Sequence, residues 1–249
     1  MLGRTHMAIG ALAGVAITPC LLHSSLPLLT HTHFNIAKPT LPHALETDAL
    51  LVVSSIIGST FPDFDEQNSL LSRKAEKLVQ LLTFLAVVSV VMLLHLQTSM
   101  WAWLSAVVIG VVLISRANVM RKIALGLLCA GLLTLGITGK IDITGAVLLA
   151  AWTVGAMLTK HRTFTHSLLG LCLFGVGVFQ SITIGSLAPL PWGLTLGYML
   201  HMVADVPAGG IPLLWPWKVR QGVSFVKTSG WIDHLIGALA LVGAIALVI

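Results

Sequence analysis

The sequence predicts an all-α, polytopic membrane bundle of about eight or nine helices. Of the 249 residues, 56% are hydrophobic and 9% charged, whereas a soluble domain carries roughly a quarter charged residues. Residues 78–96 (LVQLLTFLAVVSVVMLLHL) form an uncharged run close to the ~20 residues that a spanning helix needs. The alternation of polar and apolar residues that marks a membrane barrel is missing from it. Disorder requires low hydrophobicity and high charge, and a disulfide scaffold requires many cysteines. With high hydrophobicity and three cysteines in the whole chain, both are excluded.

Reading the apolar runs between charges, prolines and glycines gives nine helical segments. The first, 7–22, follows Arg4 and His6, and the second, 47–61, stops at Pro62. At 15 residues the second falls below the ~17 of a lipid-facing span, which makes it tilted, re-entrant or shielded inside the bundle. Segment 78–97 follows the basic stretch Arg73, Lys74 and Lys77, and 100–115 ends at Arg116. Segment 122–138 runs to Gly139-Lys140, and 143–159 lies between Asp142 and Lys160. Segments 166–187 and 190–206 are separated by prolines, and 232–249 closes the chain. The whole reads as one integral-membrane domain, with a His- and Pro-rich outside loop at 23–46 and a cytoplasmic loop at 207–230.

Charge placement sets the orientation. If all nine segments cross, Arg4, Arg73, Lys74, Lys77, Arg116, Arg121, Lys122, Lys160, Arg162, Lys218, Arg220 and Lys227 share one side. That is 12 of the 14 Lys and Arg, with Lys38 and Lys140 on the other side. The positive-inside rule makes this side, and the N-terminus with it, cytoplasmic. The net charge of +5 is therefore read as topology, and no nucleic-acid partner is predicted. The opening MLGRTHMAIGALAG has one Arg before an apolar stretch, like a signal peptide. We read it as retained, because His6 fits the site described next.

An ionised group at bilayer depth costs several kcal/mol, so each of the nine acids and ten histidines needs an account. Under the topology above, the cytoplasmic helix ends collect His6, Asp63, Asp65 and Glu66, His161 and His166, His201 and Asp205, and Asp233 and His234. In His201-x-x-x-Asp205, residues four apart share a helix face, so an imidazole and a carboxylate can bind one ion or two adjacent ones. The plainer reading is an Asp that fixes a His by a hydrogen bond. Pro62 ends a helix and leaves Asp63 and Asp65 on a short turn, an arrangement of oxygen donors that suits a divalent cation. Ordinary loop polarity would give the same residues.

Lys160-His-Arg-Thr-Phe-Thr-His166-Ser is more specific. Residues five apart point roughly 140° apart on a helix, so shared chemistry places His161 in a turn and His166 in the first turn of the next helix. Thr163 or Thr165 would then be the N-cap, and Arg162 would stand beside a helix N-terminus that can receive an anion. The alternative is a basic anchor with incidental histidines. His31 and His33 read as solvated loop residues, and Cys20, Cys129 and Cys172 as packing. Trp192, Trp215, Trp217 and Trp231 read as interfacial aromatics, which could form a platform for a lipid headgroup.

The order of these motifs carries a resemblance. His6 with Gly10, then Gly58-x-x-x-Pro62-Asp63-x-Asp65, His161-Arg162-x-x-Thr165-His166-Ser167, His201-x-x-x-Asp205 and Trp215-Pro-Trp217 resemble the YdjM-type family of bacterial inner-membrane, metal-dependent hydrolases. The likeness covers most of the chain, least diagnostically around 78–139. That family is distantly similar to the zinc-dependent phospholipase C and P1-type nuclease fold, whose metal cluster hydrolyses phosphodiesters. The resemblance implies His6, Asp63, His166, His201 and Asp205 as metal ligands, with Asp65 and His161 second. The N-terminal Trp ligand of the soluble enzymes and some of their downstream ligands have no counterpart here, which favours one or two metals over three.

The expected function is a membrane-bound hydrolase of phosphate esters, plausibly of a lipid headgroup. Zinc is the expected metal, with manganese or magnesium as alternatives. The metal would activate a water, Asp65 or His161 would take its proton, and Arg162 would hold a phosphoryl oxygen. The rival reading is an ion or proton transporter or channel, which predicts acids at mid-membrane depth and broken helices. A third is a non-catalytic membrane protein with a vestigial site.

Overall fold

A computed structural model describes residues 1–23, 41–65, 70–93, 117–183 and 185–248, with short pieces between 99 and 108. Among the described residues there are eight α-helices and no named strand. They are α1 (Gly3–His23), α2 (Leu41–Gly58), α3 (Leu70–Leu93), α4 (Ala117–Ile137), α5 (Ile143–Leu158), α6 (Leu168–Ser181), α7 (Pro189–Asp205) and α8 (Trp231–Val248). Residues 100, 101, 103, 104, 107 and 108 are helical, and the rest of the expected segment 100–115 lies outside the described residues. So does most of the expected outside loop, together with His31, His33 and Glu66.

The element types agree with the expectation and the boundaries move. The short second segment is an 18-residue helix that begins inside the stretch expected to be loop, about 27 Å long at 1.5 Å per residue. Helices α3 and α4 begin before their basic residues, so Arg73, Lys74, Lys77, Arg121 and Lys122 lie within helices rather than in loops. A helix satisfies its own backbone, and long basic side chains reach water from its ends. Helix α5 opens where expected, because Asp142 accepts from Thr144 N at 2.8 Å and Gly145 N at 3.0 Å. Helix α6 is shorter than the expected segment 166–187 at both ends.

Among the described residues one helix, α8, is long and apolar enough to cross a membrane, with 17% of its length buried. Leu239, Val242 and Val248 on it are 61%, 62% and 74% exposed. Helices α5 and α6 are apolar but shorter. Between α7 and α8 the chain forms a small hairpin closed by isolated antiparallel bridges, Ala208 with Ser224 and Ile211 with Gln221.

Glycine governs how the helices that carry the site approach one another. Helix α2 packs on both α1 and α7, and α1 also packs on α7 and α8. On α1, Gly10 and Gly14 face α2, where an added Cβ would fall 2.8 Å from Ser55 O and 2.7 Å from Val52 Cα. On α7, a Cβ at Gly193 or Gly197 would collide with Ser54 Oγ or Ser55 O of the same helix α2. Small residues four apart let helix backbones come into contact. The same ridge continues into chemistry, because His6 precedes Gly10 by four and Gly197 leads by fours to His201 and Asp205.

Gly197→Ala is therefore expected to lower the melting temperature in detergent by several degrees, since overpacking costs about 1–3 kcal/mol. Gly126→Ala on α4 is the control, because nothing lies within 4 Å of its added Cβ and it should be neutral or mildly stabilising. Equal melting temperatures for the two variants would show that the glycine ridge does not set the packing.

Candidate metal centre

The centre lies where helices begin and end. His6 is in the first turn of α1, and Asp63 is in the 3₁₀ turn Pro62–Asp65 that follows α2. His166 closes the 3₁₀ turn Phe164–His166 ahead of α6, while His201 and Asp205 occupy the last turns of α7. His6, His166, His201 and Asp205 are fully buried. Asp63 stands at the open edge, with 19% of its side chain exposed.

Four candidate ligand atoms form two triangles that share the edge between His166 and His201. His166 Nε2 and His201 Nε2 are 3.2 Å apart. Asp63 Oδ1 lies 3.6 Å from the first and 3.4 Å from the second. Asp205 Oδ2 lies 3.3 Å and 3.6 Å from the same two nitrogens. Bonds of about 2.0–2.2 Å in a tetrahedral shell put ligand atoms roughly 3.3–3.6 Å apart, whereas octahedral magnesium at about 2.1 Å puts neighbours roughly 3.0 Å apart. The printed spacings match tetrahedral edges, and Asp63, His166 and His201 form a group that could hold a metal ion. His6, His201 and Asp205 form a second, overlapping group that could hold an ion.

Outer partners fix the ligands. His201 Nδ1 is 2.7 Å from Ser59 O and donates to it, which fixes the ring so that Nε2 faces the cluster. His166 Nδ1 pairs with Thr165 Oγ1 at 3.0 Å, which points its Nε2 the same way. Tyr198, the single tyrosine, donates to Thr165 O and accepts from Trp152 Nε1 at 3.0 Å, so the core braces the turn that bears His166. Phe164, Phe174, Met202 and Ile211 pack around this pair.

Asp205 divides its two oxygens. Oδ1 accepts from the Met1 amino group at 2.8 Å and from Arg162 Nη2 at 3.0 Å, and it lies 3.4 Å from His6 Nε2. Oδ2 has no hydrogen-bond partner, and neither do the two ring nitrogens of His6. At 3.4 Å the His6–Asp205 approach is a charge contact without hydrogen-bond alignment. Orphaned buried donors and acceptors are costly. A cation beside Asp205 Oδ2 would remove that cost there.

Electrostatics point the same way for the two groups in the turns. Burial pushes the Asp63 carboxyl up, but the charge of His201 and hydrogen bonds from His166 and His201 outweigh it and hold the group well below the usual carboxylate range. Burial lowers His166, yet the carboxylates of Asp205 and Asp63, 3.3 and 3.6 Å from its Nε2, raise it above an ordinary imidazole. Both shifts show a cluster that attracts positive charge, which protons or a metal ion can supply.

The sequence-predicted residues divide accordingly. His6, Asp63, His166, His201 and Asp205 come together, with His161 at the rim, 3.9 Å from Asp63 Oδ1 and 28% exposed. Asp65 shares the turn of Asp63. His166 does not lie in the following helix, and neither Thr163 nor Thr165 caps it. The cap is Ser167, whose Oγ accepts from Gly170 N at 3.1 Å, so α6 starts at Leu168. That cap leaves His166 in the tighter turn, where it faces α7. Arg162, expected to hold a phosphoryl oxygen, uses Nη2 on Asp205, and its Nη1 lies 3.4 Å from Ala208 O. These bonds hold Arg162 at φ 57°, a conformation that costs a non-glycine residue about 1–2 kcal/mol.

Asp233 and His234 do not join the cluster. Asp233 Oδ2 accepts from Leu2 N at 3.0 Å and Ser229 N at 2.9 Å, which ties the start of α1, and so His6, to α8. Sequence reading did not find Ser59, Tyr198 or the glycine ridges. The four-residue spacing of Gly193, Gly197, His201 and Asp205 was the available signal.

The YdjM inner membrane protein family matches residues 1–249, and the chain belongs to it. No curated protein and no solved structure matches the chain.

Proposed function

We propose that this member of the YdjM inner membrane protein family is a metal-dependent hydrolase of phosphate esters, with one zinc held by Asp63, His166 and His201 and by Asp205, whose Oδ2 lies 3.3 and 3.6 Å from the two imidazole nitrogens. The observation that carries the reading is the set of five ligand-to-ligand distances between 3.2 and 3.6 Å. A zinc ion held there would polarise a phosphoryl oxygen and acidify a water. Manganese or magnesium would need shorter spacings. The chain has the multi-pass topology set by its basic residues, with the N-terminus and the site at the cytoplasmic face.

A catalytic site keeps a ligand position open. Here the exchangeable ligand is Asp63, which alone of the four stands at the exposed edge. His161 beside it is the group that takes a proton from the attacking water, and Asp65 in the same turn is the alternative. Arg162 holds Asp205 in place, and its solvent-facing side, 21% exposed, receives a phosphoryl oxygen. A lipid headgroup is the substrate that suits a site on an inner membrane protein, which extends the distant likeness to zinc phospholipases and nucleases.

A transporter would need polar groups within broken, mid-membrane helices. The cluster instead collects at the ends of intact helices, Asp205 being the last residue of α7 and His166 lying ahead of α6.

The test is metal content by mass spectrometry on detergent-purified protein, alongside hydrolysis of phospholipid and phosphodiester substrates. Wild type is expected to retain near-stoichiometric zinc and to cleave a phosphodiester to a phosphomonoester and an alcohol, and His166→Ala to lose both while still giving a cooperative melt. A folded wild type that takes up no divalent metal on reconstitution would overturn the hydrolase reading.

A further inference from the structure

The hairpin between α7 and α8 has a surface that the metal centre does not use. Between Leu214 and Lys227 it exposes Trp217, Val219, Val223 and Phe225, each 63–69% accessible. Interspersed with them are three exposed cations, Lys218, Arg220 and Lys227. There is no acid from Val206 to Ile232. A solvated loop has no reason to expose so much aromatic and branched apolar surface, and a buried one would not carry three unneutralised cations.

The hairpin is also a folded element. Gly209 N donates to Val223 O, Ile211 N to Gln221 O and Gln221 N to Ile211 O, at 2.9–3.2 Å. Leu213 N donates to Gln221 Oε1 at 2.9 Å. Ile211 is fully buried beneath it, and Trp215 packs edge-on against Phe164 with centroids 5.4 Å apart. The hairpin leads directly into Trp231, itself 74% exposed, at the start of the one helix among the described residues that is long and apolar enough to cross a membrane. Its exposed side chains are therefore tethered next to the end of that helix.

We propose that this hairpin is a lipid-docking element whose aromatic and branched side chains enter the interfacial zone while Lys218, Arg220 and Lys227 bind anionic phospholipid headgroups. The chemistry matches on both counts, since Trp settles at the headgroup level, apolar side chains enter just below it, and basic residues are drawn to an anionic surface. Docking carries the rim of the metal centre with it. Leu168 N donates to Leu213 O at 2.9 Å, and the Arg162 guanidinium meets Ala208 O, so the hairpin and the His161–His166 turn are joined. The docking inference stands without the hydrolase reading.

The experiment uses full-length protein in vesicles of phosphatidylcholine, with or without phosphatidylglycerol. An environment-sensitive fluorophore is placed on Val223→Cys in a background with Cys20, Cys129 and Cys172 replaced by Ala, and is challenged with shallow-brominated lipid and with aqueous iodide. With phosphatidylglycerol present, docking gives blue-shifted emission, several-fold stronger quenching by the brominated lipid and weak quenching by iodide. Lys218→Gln, Arg220→Gln and Lys227→Gln combined, or high salt, should return the label to iodide. Strong iodide quenching in both vesicle types places the hairpin in water and overturns the proposal. Shielding from both quenchers means a protein covers the face, which also overturns it. Lipid quenching that ignores phosphatidylglycerol and the charge variant would refute recognition of anionic headgroups.

Discussion

Asp205→Asn is expected to abolish the metal binding proposed for the centre and to cause the largest stability loss of any single substitution there. The change keeps shape and removes charge. One carboxylate oxygen is the counter-charge for Arg162 and for the Met1 amino group, at 3.0 and 2.8 Å, and the other faces His166 and His201. Removing one partner of a buried ion pair costs about 3–5 kcal/mol, because the charges left behind have neither water nor a counter-ion. Arg162 keeps 21% of its side chain in solvent, which places the expected loss toward the lower end of that range. Metal removal separates the two roles. A chelator should lower the melting temperature of wild type, whose folded state binds the ion, and leave that of Asp205→Asn unchanged. Asp205→Glu should recover part of the ion-pair stability without recovering metal, because the extra methylene displaces the carboxylate from the shell. Stoichiometric zinc in purified Asp205→Asn would remove Asp205 from the ligand set.

The second large effect is the contrast between His201 and His6. Their rings stack, with centroids 3.7 Å apart and planes 19° apart, and both are buried. His201 belongs to both candidate ligand groups and His6 to one. If about 10–16 kcal/mol of zinc binding is shared by four ligands, each contributes roughly 3 kcal/mol, or about a hundredfold in affinity. His201→Ala should therefore weaken zinc binding by about a hundredfold or more in a competition titration with a chelator. His6→Ala should weaken it by about tenfold, the low end for an outer-shell partner that supports a ligand. Equal losses for the two variants would make His6 a ligand and favour the overlapping group or a second ion.

Much of the fold was legible because it is written in local pattern. Apolar runs between charges locate helices wherever they pack, and Asp142 and Pro189 mark helix starts through capping and ring geometry that need no distant partner. Residue type also marked the ligands, since an imidazole or carboxylate near a helix end of so apolar a chain is rarely idle. Boundaries were less legible. The 18-residue α2 begins among prolines and polar residues that read as loop, because helix propensity is weak there and packing against α1 and α7 adds to it.

The sequence by itself determined the helical class, the apolar character of the final helix and the identity of the five ligand candidates, because each depends on side-chain chemistry or on a period of a few residues. Tertiary structure decided what those residues do to one another. The Ser167 cap put His166 in a 3₁₀ turn rather than in a helix, and Arg162 committed Nη2 to Asp205. Asp233 was diverted to holding the start of α1. The glycine contacts of α1 and α7 with α2 brought His6 and His201 to stacking distance. These outcomes depend on the close approach of segments as far apart in sequence as His6 and Asp205. A helical period carries no information about which distant backbone will fill the space that a missing Cβ leaves open.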